Sequence, residues 1–221
     1  MKRVGKCCLP LLTVLMFSGM ASASTLVVNC GTVSGPTELN TSILCPQFNS
    51  IGTLSSISIA VSGGVSGSIT LTNGSASPQT GSGTTTISFN FGSLGGFSFV
   101  NPIYSPSFTT GTQSLAAGQT LTVSGLSALG NGTLGSDTTV FVPYIGAGNF
   151  SIPISTSTFF LGGGTGGFFM AAQASTANAT AVVTYTYDVA PSVPEPTTIT
   201  LLGLGLLGIG VMSRKVKKQE G

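Results

Sequence analysis

The stretch that decides the fold is Leu54-Ser55-Ser56-Ile57-Ser58-Ile59-Ala60-Val61-Ser62-Gly63-Gly64-Val65-Ser66-Gly67-Ser68-Ile69-Thr70-Leu71-Thr72-Asn73. Apolar side chains fall mostly on odd positions, with serine, alanine and threonine between them. A two-residue period puts one face of an extended chain in a core and the other in solvent. The pair Gly63-Gly64 reads as a turn, so the stretch predicts a hairpin of two strands. Runs of the same kind follow at Thr84 to Phe91, Phe97 to Val100, Gln119 to Val123, Thr138 to Val142, Phe150 to Thr156, Phe168 to Ala172 and Ala179 to Tyr187. Their spacing predicts an all-β fold, a single Gly/Ser/Thr-rich β-sandwich of about eight to ten strands. Pro143 and Pro153 sit within or beside such runs and imply edges or bulges.

On either side of this body the pattern changes. Lys2, Arg3 and Lys6 precede an apolar run from Leu9 to Met20 and the small residues Ala21-Ser22-Ala23. That order is a secretory signal peptide over residues 1–23, cut before Ser24, which implies passage through the Sec translocon. Cys7 and Cys8 stand at the start of the apolar run and leave with it. The β-sandwich domain is then expected over residues 24–190.

Residues 191–221 form the other flank. Val193-Pro194-Glu195-Pro196 is followed by an uncharged apolar run from Thr197 to Met212 and by Arg214, Lys215, Lys217 and Lys218. Sixteen helical residues span about 24 Å, short of the roughly 30 Å of a bilayer's hydrocarbon core. Gly203, Gly205, Gly208 and Gly210 weaken such a helix further. The basic cluster stops transfer and keeps the last residues in the cytoplasm. A plain single-pass anchor is the alternative, but it needs no Pro-Glu-Pro and is ordinarily longer.

These residues resemble the PEP-CTERM sorting signal of Gram-negative bacteria. The resemblance implies recognition of Val193 to Pro196 by exosortase, a membrane-embedded cysteine transpeptidase. It implies a transient membrane anchor on the segment from Thr197, and a mature protein at the cell surface or in the extracellular matrix. Phe48 to Ile57, the glycine-rich stretch ending at Asn73, and Val183-Thr184-Tyr185-Thr186-Tyr187 resemble the choice-of-anchor E type of extracellular domain. That likeness implies an exported β-domain and no particular chemistry.

Composition narrows the function. All seven basic residues lie in the two flanks, so residues 24–192 hold no Lys, Arg or His and three acids, Glu38, Asp137 and Asp188. A body of formal charge −3 has no cation with which to displace counterions from a polyanion, which excludes nucleic acid and anionic lipid headgroups as its partners. Without histidine or lysine there is no Ser-His-Asp, Cys-His or Ser-Lys arrangement. The three acids stand in no recognisable catalytic motif and read as solvated turn residues; no cofactor and no metal site is expected. Gly162-Gly163-Gly164-Thr165-Gly166-Gly167 lacks the lysine of a phosphate loop and reads as a flexible turn.

Two cysteines remain in the body, Cys30 and Cys45, and an even pair in an exported chain is expected as a disulfide closing a loop of about 15 residues. The triplets at Asn40, Asn73, Asn131, Asn149 and Asn178 arise readily in a body with 53 Ser and Thr residues. The reading is therefore a non-enzymatic surface or matrix protein, associated with exopolysaccharide or biofilm. Two alternatives stay open. A carbohydrate-binding module would stack sugars on Tyr104 or Tyr144. A coat or filament subunit would self-associate through sheet edges that carry no protecting lysine.

Overall fold

In a computed structural model the chain is described over residues 22–50, 52–189 and 201–209. Ala23–Val189 is one compact unit. The compact unit holds nine strands: β1 (Ser22–Pro36), β2 (Asn40–Pro46), β3 (Thr53–Asn73), β4 (Gln79–Phe91), β5 (Ser107–Thr109), β6 (Gln113–Leu115), β7 (Thr120–Asp137), β8 (Asn149–Gly164) and β9 (Phe169–Val189). A 3-10 turn covers Val142–Tyr144.

Two sheets form the sandwich. One has the order β1-β9-β3-β7; in the other β2, β8, β4 and β5 are neighbours, and β6 also pairs with β4. The alternation sorts side chains as the sequence requires. Ile57, Ile59, Val61, Val65, Ile69 and Leu71 of β3 face Ile87, Phe89, Ile152 and Ile154 of the other sheet in a continuous buried core. Ala177, Ala179, Ala181 and Val183 of β9 are buried beside them. Among the described residues this core is drawn wholly from Ala23–Val189. Burying a Val, Leu, Ile or Phe contributes roughly 1.5–3 kcal/mol each, which is the main drive for closing the two sheets.

The expected hairpin at Gly63-Gly64 does not form. Residues Thr53–Asn73 make one unbroken strand, with Gly63 opposite Gly130 of β7 and Ala179 of β9. The reason is steric room rather than turning. A Cβ on Gly63 would collide with the Asn178 carbonyl and lie 2.8 Å from the Tyr104 hydroxyl, and one on Gly130 would press into the Tyr104 ring. Neither Gly63 nor Gly64 has a positive φ. The glycines form a bed for Tyr104 and for close approach of β9.

Other runs shift as well. Phe169 to Ala172 and Ala179 to Tyr187 belong to the single strand β9, whereas Phe97 to Val100 and Thr138 to Phe141 are loops and Val142 opens the 3-10 turn. Pro143 sits in the 3-10 turn. Pro153 lies inside β8 opposite Ser42, at neither an edge nor a bulge. Its carbonyl accepts from Gly92 N at 2.9 Å, just past Phe91, the end of β4. The missing N–H thus points where the neighbouring strand has already ended, so no ladder bond is lost.

Cys30 and Cys45 form a disulfide, with Cα atoms 4.4 Å apart. It joins β1, the border strand of one sheet, to β2, the border strand of the other. The linker between these strands crosses at Glu38, whose φ of 79° is the left-handed value seldom adopted outside glycine. Thr156 holds that crossing: its hydroxyl accepts from Glu38 N at 2.9 Å and Leu39 N at 2.7 Å. Asn73 does the same work between β3 and β4, its side-chain amide donating to the carbonyls of Ser77, Leu115 and Ala116.

Candidate functional site

The sequence locates function in the tail, and the described part of it is a helix over 201–209. Leu201, Leu202, Leu204, Leu206, Leu207 and Ile209 are all exposed on it. Nine residues rise about 13 Å, under half of a bilayer core. Among the described residues no helix is long and apolar enough to cross a membrane. Val193, Pro194, Glu195 and Pro196, expected to be recognised, lie outside the described residues, as do Arg214, Lys215, Lys217, Lys218 and Ala21. Ala23 and Ser24 stand in β1, whose first residue, Ser22, precedes the expected cut.

Within the body the three acids stand apart. Glu38 is exposed at the crossing between sheets. Asp188 is opposite Thr53 and Asp137 opposite Ile57, on the two sides of β3. Four residues along β3, about 13 Å, and two strand spacings across it, about 9.6 Å, put their backbones about 16 Å apart, beyond the roughly 5–9.5 Å of paired glycosidase carboxylates. Among the described residues no three His, Cys, Asp or Glu side chains gather as a metal site would need.

Asp137 is not the solvated turn residue expected from sequence; it is buried at 3% exposure. Its carboxylate accepts from the Thr139 amide at 2.9 Å, the Thr139 hydroxyl at 2.8 Å and the Val140 amide at 2.8 Å. Burial pushes its pKa up, but these donors outweigh burial and hold it below the ordinary carboxylate value. The niche is closed by Gly96, where a Cβ would strike the carboxylate. Asp137 thus caps a turn and is not aimed at a ligand.

The sugar-stacking candidates are also inside. Tyr104 is 8% exposed, stacked on Phe89 with ring centroids 4.6 Å apart, and its hydroxyl is buried without a hydrogen-bond partner. Tyr144 donates to Gly95 O at 2.6 Å and meets the Phe150 ring edge-on at 4.8 Å. Burial, with a smaller contribution from Asp137, pushes its phenol up to about 12. Tyr185 is buried and Tyr187 half-buried; both pack against Phe48, with centroids at 5.5 and 5.1 Å. Tyr104 and Tyr144, the rings expected to stack on sugars, are thus both core residues.

The aromatic surface lies elsewhere. Phe159, Leu161, Phe168 and Met170 are half or more exposed around the bend Thr165–Phe168. Gly162, Gly163 and Gly164, expected in that turn, are instead the last residues of β8, paired with Gly83, Ser82 and Gly81 of β4. The doubled phenylalanines at 159–160 and 168–169, flanking the glycines, were the available signal. In each pair one ring turns inward and the other outward.

Against this geometry, residues 192–215 match the PEP-CTERM protein-sorting motif. No curated protein matches the chain. Among solved structures, the particle of infectious bursal disease virus strain Gx aligns at 13% identity over 78% of this chain and 38% of that one, with a TM-score of 0.20. The VP2 subviral particle of the same virus aligns at 14% identity over 77% and 38%, with a TM-score of 0.18. The chain spans less than two-fifths of the length of either, and scores of this size do not establish a shared fold.

Proposed function

We propose that this chain is an exported, non-enzymatic surface or matrix protein, sorted by exosortase through the motif at residues 192–215. The observation that carries the reading is the motif match itself, which covers the Pro-Glu-Pro element, the apolar segment and the first basic residues. Glu195 presents one carboxylate between two residues whose φ is locked by their rings, a short rigid handle suited to recognition. The apolar segment from Thr197 holds that handle at the membrane until the transpeptidase cuts. The mature body then enters the surface matrix, with exopolysaccharide as the expected surrounding polymer.

The body's make-up supports a passive role. It has no cation, three scattered acids, Tyr104 and Tyr144 buried in its core, and a disulfide suited to an oxidising compartment. The test is the location of the protein in its host. Replacing Pro194, Glu195 and Pro196 together by alanine should leave the chain in the inner membrane while the native chain reaches the surface or medium. Equal surface delivery of both forms would overturn the reading.

A further inference from the structure

We propose that the open border of β8 over Ser157–Gly164 pairs with the same border of a second copy, joining two bodies through an antiparallel β-ladder. The open border begins where the neighbouring strands stop. β2 pairs with β8 only from Asn149 to Ser155. At the next residue Thr156 N donates to Leu39 O at 2.9 Å, and the chain has already crossed to the other sheet, where Thr37 N donates to Ser175 O at 3.2 Å. From Ser157 onward β8 is paired with β4 on one side, through Ser88↔Ser157 to Gly81↔Gly164, and among the described residues no strand lies on the other.

Exposed borders are normally shielded by lysine, proline, bulges or covering segments. β7, the free border of the other sheet, has such shielding. Its register with β3 breaks twice, between Ile59 and Ala60 and between Gly67 and Ile69, near the positive-φ residues Gly135 and Gly125. The open half of β8 has none of these devices. Its register with β4 is unbroken, Pro153 lies before it, and it contains no charged residue. Phe159 and Leu161 stand 65% and 64% exposed on its outer face, where solvent contact is unfavourable for both.

A second copy fits because the segment complements itself. Facing residues in an antiparallel ladder project to the same side, so a symmetric pairing must be centred on a residue. Centred on Phe160, it sets Phe159 opposite Leu161 of the second copy, Thr158 opposite its Gly162 and Ser157 opposite its Gly163. The glycines leave room beside the rings, and the twofold arrangement closes on two copies. Any chain lacking this sequence would meet the same backbone without the apolar match.

The test uses the disulfide-bonded body, Ser24–Val189, which has its own core. Sedimentation equilibrium should show a concentration-dependent dimer. Phe159→Lys should raise the dissociation constant at least tenfold with an unchanged melting curve, while Val100→Lys, placed on a loop residue that is 86% exposed, should not change it. Mixing Phe159→Cys chains with Leu161→Cys chains under mild oxidation should give a covalent heterodimer, and each alone should cross-link poorly. A native body that stays monomeric at millimolar concentration, or equal effects of the two lysine variants, would overturn the proposal. Failure here leaves the sorting assignment untouched, since that rests on residues 192–215.

Discussion

The hydroxyl of Tyr185, on β9, donates a 2.6 Å hydrogen bond to the carbonyl of Pro46, at the end of β2 in the opposite sheet. One buried phenol thus ties the two layers together where the alternation alone would supply only apolar contact. Tyr185→Phe removes the donor and should cost about 0.5–1.5 kcal/mol. A lowered urea midpoint with an unchanged slope checks it.

The same phenol sets an alkaline limit. Burial, then the neighbouring Tyr144, pushes Tyr185 up to about 12, and Tyr144 is raised to a similar value. A group whose folded pKa lies above its unfolded value gives stability that is complete below about pH 10 and is lost as pH rises toward 12. The body should hold a constant melting temperature from pH 7 to 9 and lose it steeply above 10. Tyr185→Phe should make that alkaline decline shallower.

At the acid end Asp137 governs. Its carboxyl is held below the ordinary value of 3.8, so its contribution is present above that pH and lost as pH falls through the lower folded value. Asp137→Asn should lower stability at pH 7 and flatten the dependence of the urea midpoint below pH 4. An unchanged acid profile in the variant would contradict the niche described by Thr139 and Val140.

Gly63→Ala tests the unbroken strand directly. The added methyl meets the Asn178 carbonyl and the Tyr104 hydroxyl, and overpacking of this kind costs about 1–3 kcal/mol. Were residues 63–64 a surface turn, the substitution would cost far less when φ is not positive. Thermal denaturation distinguishes the two.

Reducing or deleting the disulfide, as in Cys30→Ser with Cys45→Ser, releases a closed loop with a sequence separation of 15, worth about 3 kcal/mol. Because the bond clamps β1 to β2, hydrogen exchange in β1 should accelerate before that of β3. Uniform acceleration across both would argue against a local clamp.

What could be read from the sequence followed from periodicity. β3, β4, β8 and the far half of β9 announce themselves because Ile, Val and Phe alternate with Ser and Thr. β1 does not, since Leu26, Val27 and Val28 run consecutively and Gly31 interrupts the pattern. Glycine misled twice, at 63–64 and at 162–164, because its absent side chain serves close packing as well as turning. The cysteine pair could be anticipated from parity and compartment, but the burial of Tyr104, Tyr144 and Asp137 depends on which loops fold over them. The sorting motif was legible for a different reason: its residues are contiguous in the chain.

The most direct test is the intact mass of the mature protein from its native host, set beside the same protein from a strain lacking the processing transpeptidase. In the competent host the chain should begin at Ser24 and lack the residues following the Pro194-Glu195-Pro196 region, with the tail retained in the deficient one. An intact tail in both strains would contradict it and reduce the segment from Thr197 to Met212 to a plain membrane anchor.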